Sequence, residues 1–227
     1  DCDCCCQESI NEFSIPFNAT AGEYIQCNAG DADYAFAHTA KFTISFWVYR
    51  TEGTTAAGTI VQRSGYDGGD ALSTGYQIAI DGGSGAVQAF IRSDTAGDGT
   101  NVNAVVARTC SDPVALQVWE HYMVVYDGKA TADSFSIYKN GVLANGTNFA
   151  GTSWTGTAVA TANQHFSLGR SVTTAGAASS PLNLFLDNVV FFSTDHGLAQ
   201  AEFLSGKFLA STYGNGPLSA PYITSKV

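Results

Sequence analysis

Charge is scarce in this chain. Asp, Glu, Lys and Arg make up 13% of its 227 residues, about half the ~25% of an average soluble domain, so solubility has to rest on Gly, Thr, Ser and Asn. Basic charge is scarcer still. Ten Lys and Arg stand singly against 20 Asp and Glu, giving a formal charge of −10 and a pI near 4.5. Such a surface repels phosphate backbones and anionic lipid, which excludes nucleic acid as a partner. Long apolar runs are missing too. The richest, Leu182 to Phe192, is broken by Asn183, Asp187 and Asn188 and falls short of the ~20 residues that cross a bilayer as a helix, so no membrane insertion is expected. Nor is there a G-x-S-x-G, an H-E-x-x-H or a phosphate-loop run, the arrangements that would announce acyl transfer, metal-assisted proteolysis or nucleotide chemistry.

What the chain does have is alternation. In Phe42, Ile44, Phe46 and Val48 the apolar side chains fall on one face, while Thr43, Ser45, Trp47 and Tyr49 fall on the other, the period of a strand that covers a core. Similar strands are predicted at Tyr24 to Cys27, Thr59 to Arg63, Tyr76 to Ile80, Ala86 to Arg92, Val102 to Arg108, Trp119 to Tyr126, Ser134 to Lys139, His165 to Gly169 and Leu184 to Phe192. Asn140-Gly141 between apolar runs is a strong hairpin signal, because both residues tolerate the positive φ of a type I′ turn. Asp81-Gly82-Gly83 predicts a second turn. One helix is predicted, from Leu198, Ala201 and Leu204 spaced about three apart, with Asp195 upstream as its cap. Many strands, turn chemistry between them and one terminal helix describe an all-β, two-sheet antiparallel sandwich. At this length such a sandwich is expected to be a single unit over residues 8–213, with a cysteine-rich arm at 1–7 and a tail at 214–227. The chain starts at Asp1 rather than Met, and removal of an export signal or pro-segment is expected.

Four of the six cysteines, Cys2, Cys4, Cys5 and Cys6, crowd into the first six residues; Cys27 and Cys110 lie far apart in the body. An even count favours disulfides and an oxidising compartment. Thiolates flanked by Asp1 and Asp3 holding a soft metal ion are the competing reading. Adjacent cysteines bridge each other poorly across one peptide bond, so Cys4, Cys5 and Cys6 are expected to reach elsewhere, including a neighbouring molecule. Cys27 with Cys110 is the expected intradomain pair.

Four phrases stand in a fixed order: FTISFWVYR (Phe42 to Arg50), WEHYMVVYDG (Trp119 to Gly128), SIYKNGVLA (Ser136 to Ala144) and NLFLDNVVFFSTDHGLAQAEF (Asn183 to Phe203). With Phe166-Ser167-Leu168-Gly169-Arg170 they give the chain a close resemblance to the laminin-G-like jelly-roll domains of the concanavalin A-like lectin and glucanase superfamily, over roughly Glu8 to Tyr213. The resemblance leaves the cysteine arm unexplained. Because that superfamily includes glycoside hydrolases, the carboxylates matter. A retaining glycosidase needs two carboxyl groups about 5 Å apart, supplied in such sheets by E-x-D-x-E runs. The six glutamates, Glu8, Glu12, Glu23, Glu52, Glu120 and Glu202, form no such run, so an enzyme is disfavoured.

The resemblance implies calcium in a rim loop, where Asp oxygens and carbonyls coordinate a hard cation. Asp67 and Asp70 in Gly65 to Asp70 are the candidate ligands, with Asp94 to Asn101 a second acidic loop; both also read as solvated turns. For sugar stacking, Tyr66 beside those aspartates and Trp154 in a loop are the candidates. Trp47 and Trp119 are read as core or covering aromatics, His121 as a strand residue rather than a base, and Asp187 as an acceptor of backbone hydrogen bonds. Asn18-Ala19-Thr20 and Asn145-Gly146-Thr147 are glycosylation acceptors if the source is eukaryotic. Together these predict a non-catalytic module, extracellular or on a cell or virion surface, that binds a glycan or a surface protein and self-associates or joins a larger assembly. The rival reading is a structural subunit of a filament, coat or virion linked through its cysteine arm.

Overall fold

Period-two alternation becomes two antiparallel sheets laid face to face. The computed structural model describes residues 14–20, 22–27, 36, 39–51, 57–64, 75–93, 104–129, 131, 133–150, 165–172, 178–179 and 182–205. In chain order the strands are β1 (Ile15–Phe17), β2 (Ile25–Cys27), β3 (Phe42–Arg50), β4 (Gly58–Ser64), β5 (Gly75–Ile80), β6 (Ala86–Ser93), β7 (Ala104–Pro113) and β8 (Trp119–Tyr126). They continue with β9 (Phe135–Lys139), β10 (Val142–Leu143), β11 (Asn145–Ala150), β12 (Phe166–Leu168), β13 (Ser171–Val172), β14 (Ala178–Ser179) and β15 (Leu184–Phe192), and end in helix α1 (Leu198–Leu204). One sheet runs β1-β15-β3-β8-β9-β10 and the other β11-β7-β6-β5-β4-β12-β2, with β13 and β14 pairing on their own.

The core forms where the alternation said it would. Phe42, Ile44, Phe46 and Val48 of β3 are buried with Tyr122, Val124 and Tyr126 of β8, and with Ile78, Ile80, Val87 and Ile91 from the facing sheet. Each such side chain contributes about 1.5–3 kcal/mol by leaving water. Rings fill one end: Phe42 lies 4.8 Å from Phe36 and 5.2 Å from both Tyr76 and Tyr126, centroid to centroid. The Asn140-Gly141 turn has φ values of 50° and 73°, the signature of type I′. The turn after β5 closes differently, with Gly85 at φ 71° and the Asp81 carboxylate accepting from the Ser84 N–H at 2.8 Å.

Two expectations change. Cys27 and Cys110 are both free thiols, because β2 closes one edge of the seven-stranded sheet and β7 lies five strands away. At about 4.8 Å per strand that is roughly 24 Å, far beyond disulfide reach. Asp195 does not cap α1: the N-cap is Gly197, without a side-chain bond, and Asp195 instead pairs with Lys41 at 2.9 Å. The second face of β3 is largely covered as well. Thr43, Ser45 and Trp47 are buried, and beside them Ala201 and Leu204 of α1 close over Met123, Val125 and Phe192. β15 keeps pace through a bulge at Asn188 and Val189 between Asp187 and Val190, with Asn188 at φ 47° and the Asp187 carboxylate accepting its N–H at 2.6 Å, as its backbone-acceptor reading required.

Candidate functional site

Sheet register brings together a polar pocket that local sequence does not advertise. On β5, Gln77 and Ala79 share one face, opposite to buried Tyr76, Ile78 and Ile80. Gln77 pairs with Phe90 and Ala79 with Gln88 on β6, while on the other side Ala79 pairs with Thr59. These residues and the turn carboxylate of Asp81 line a pocket of about 180 Å³ on the outer face of the seven-stranded sheet. Small Ala79 leaves the floor open between the two glutamines. The Gln77 amide donates to the Thr59 hydroxyl at 2.7 Å, which fixes its orientation and takes up one of its two N–H groups. Hydrogen bonds from the Ser84 backbone N–H and hydroxyl lower the pKa of Asp81, which therefore stays ionised. The result is two amides, an ionised acceptor and an aromatic ring within one concavity, with the buried Thr59 hydroxyl holding Gln77 in place.

A second concavity is aromatic. Phe185 on β15, Tyr49 on β3 and Trp119 on β8 stand side by side in register, with ring centroids 6.0 Å and 5.5 Å apart. With Ser14 they line a shallow pocket of about 190 Å³. Of the two tryptophans read as core or covering aromatics, Trp47 is buried, 5.3 Å from the His121 ring, and Trp119 is half-buried at the surface.

A third concavity, of about 220 Å³, gathers Asp127, Asp133, Asp195 and His196. Each aspartate already has its own cation: Lys129 at 2.7 Å, Arg108 at 2.8 Å and Lys41 at 2.9 Å. Among the described residues no group of three or more His, Cys, Asp or Glu side chains converges as metal ligands would. Glu120 is likewise engaged, 2.9 Å from Lys139 and accepting from the Ala115 N–H at 2.8 Å and the Tyr122 hydroxyl at 3.1 Å. Burial, then the Glu120 charge, raise the Tyr122 pKa and keep its phenol protonated. His121, fully buried, donates or accepts through Nε2 with the Ser45 hydroxyl at 2.8 Å, and burial lowers its pKa to about 3. It is a neutral strand residue. Burial also pushes the Cys110 thiol up.

The candidates singled out from sequence, Tyr66, Asp67, Asp70 and Trp154, together with the acidic loop 94–101 and Cys2, Cys4, Cys5 and Cys6, lie outside the described residues. Of the two glycosylation acceptors, Asn18 is exposed, but Asn145 is half-buried and its side-chain oxygen accepts from the Ile137 N–H at 2.8 Å, which makes it part of the sheet. Sequence reasoning passed over Gln77, Gln88 and Phe90 because each reads as the ordinary solvent-facing half of an alternating strand. Only the register that sets them side by side makes them a site.

Among curated proteins none matches this chain. Solved structures do. The binding domain of Paraclostridial Mosquitocidal Protein 1 superposes with a TM-score of 0.56 at 12% identity, covering 86% of this chain and 44% of that one. The botulinum neurotoxin serotype D binding domain does so at 0.50 and 12%, covering 82% and 41%. The chain thus spans less than half the length of these two structures, and at such identities the likeness is one of fold. A laminin-G-like profile described as Concanavalin A-like lectin/glucanases superfamily matches residues 20–200. With that match over most of its length, and a sandwich of the same architecture, the chain belongs to the laminin-G-like branch of the concanavalin A-like lectin and glucanase superfamily.

Proposed function

We propose that this chain is a non-catalytic binding module for neutral glycans, acting outside the cell or on a particle surface. The observation that carries the reading is the pocket of Thr59, Gln77, Gln88, Phe90 and Asp81 on the outer face of the seven-stranded sheet. A sugar hydroxyl is both donor and acceptor. Side-chain amides, which offer both, and an ionised carboxylate, which accepts, replace its water, while an aromatic ring meets the C–H face. Lys and Arg are absent from the described lining, which favours a neutral sugar over an anionic one. Asp81 is the one carboxylate among the described lining residues, whereas retaining hydrolysis needs two carboxyl groups about 5 Å apart, which supports recognition rather than hydrolysis. The mosquitocidal and neurotoxin structures that share this fold are both binding domains, which accords with this reading.

The test is a glycan array read by titration calorimetry on its hits. The double variant Gln77→Ala/Gln88→Ala is expected to weaken binding at least tenfold, since each lost hydrogen bond to a buried polar group costs about 1 kcal/mol or more. Binding to no glycan, or equal binding by wild type and double variant, defeats the proposal. Running the array with and without chelator tests calcium at Asp67 and Asp70: loss of binding in chelator supports it, and indifference removes it.

A further inference from the structure

The outer face of the six-stranded sheet is uneven. Towards one end, α1 covers Met123, Val125 and Phe192, and in the next rows Ser45, Trp47 and His121 are buried. Among the described residues the cover stops at the last row. Phe185, Tyr49 and Trp119 stand there half-buried, three rings abreast on three neighbouring strands, inclined to each other by 71° and 49° around the concavity completed by Ser14. Leaving three large rings half in water forgoes part of the burial that alternation secured for the opposite face of the same strands. A fold that needed only to shed water at this row had small polar residues to spend on it, since Ser and Thr abound in the chain.

We propose that this row is a second sugar site, which stacks a single neutral pyranose with equatorial hydroxyls. Such a ring presents its axial C–H bonds as an apolar, weakly positive face, and that face is attracted to the negative face of an aromatic ring. Ser14 and the Tyr49 hydroxyl supply polar groups at the rim. The described lining carries no charge, which suits a neutral ligand. Size argues against a protein partner: four described residues line the concavity, whereas a standard protein interface uses about 20–30 a side. Strand addition is also disfavoured, because the neighbouring edge strand β1 carries Pro16 at its centre, and proline cannot donate to a new ladder. The inference rests on the neutral-glycan reading but concerns the opposite sheet, so the module would hold two sugars on two faces and gain avidity on a glycan-coated surface.

The experiment titrates the protein with cellotetraose, xylotetraose and chitotetraose by calorimetry and follows Trp fluorescence. Wild type is expected to bind two equivalents of a responsive sugar. Trp119→Ala should lose one of them, with at least a tenfold drop and loss of the fluorescence change, while Trp119→Phe, which keeps a ring, recovers part of it. A cooperative thermal unfolding transition followed by far-ultraviolet circular dichroism shows that the variant is folded. Gln77→Ala/Gln88→Ala should lose the other equivalent and keep the fluorescence change. Wild-type stoichiometry in folded Trp119→Ala overturns the second site and leaves the first reading standing. Retention of a single equivalent that only Trp119→Ala removes upholds the row and overturns the glutamine pocket, and no binding of any of the three sugars overturns both for this ligand class.

Discussion

His121 carries a pH dependence whose sign follows from burial alone. Its imidazole has a pKa of about 3 in the fold against about 6.5 in the unfolded chain. The unfolded state therefore binds the extra proton first, and stability falls as pH drops from 6.5 towards 3. At pH 5 the loss is about 2 kcal/mol, from 1.5 pH units at about 1.36 kcal/mol each. Asp81 and Asp195, whose hydrogen bonds lower their pKa, lose their contribution only below the ordinary carboxylate value of 3.8. Denaturant unfolding at pH 7.5 and pH 5 should show this difference in wild type and a much smaller one in His121→Gln; an equal slope in both would assign it elsewhere. Cysteine chemistry gives a second residue-scale outcome. Cys110 is buried, and its thiol is held protonated by desolvation, so maleimide should label it only after unfolding. Once unfolded without reductant, Cys27 and Cys110 should each take one label. A peptide cross-linking the two would contradict the five-strand separation.

Elements are held by a few points where backbone and side chain agree. Strand β1 is short and carries Pro16, and Phe17 anchors it by burying its ring against Gly169, whose φ is 79°. A Cβ at Gly169 would fall within the Phe17 ring, so Gly169→Ala should cost about 2–3 kcal/mol, from positive-φ strain and overpacking together. Thermal unfolding checks it, and a change below about 0.5 kcal/mol would show that β1 is not anchored there. Across β8 and β9, Lys139 meets Glu120 at 2.9 Å with side chains 15% and 7% exposed, and donates to the Pro113 carbonyl at 2.8 Å. Removing one partner strands a desolvated charge. Lys139→Met should cost about 3 kcal/mol, and Lys139→Met/Glu120→Gln should recover most of it; equal stability of the single and double variants would make the pair a surface contact.

At the scale of the molecule, the architecture was largely legible and the site was not. Strands β3, β5, β6, β8 and β15 carry their alternation or apolar runs openly, and Asn140-Gly141 fixes a hairpin by backbone chemistry alone. β1 and β11 were hidden, the first because Pro16 argues against a strand and the second because Asn145 to Ala150 reads as a turn. Both are recruited by an open edge, β1 onto β15 and β11 onto β7. Strand β7 likewise runs on to Pro113, past the arginine where its predicted strand ended. The α1 periodicity was visible, but its start was not, since Lys41, 154 positions away in sequence, draws Asp195 aside.

Local chemistry therefore determined the class of fold: which residues alternate, where the chain turns, and that it carries few charges and no glycosidase run. Those properties act between neighbours in sequence, so a sequence displays them. Pairing across strands determined the rest. Gln77 meets Phe90, Tyr49 meets Trp119, and Cys27 is kept from Cys110 by the order in which strands enter each sheet, and that order is set by the burial of a shared core that no short segment contains.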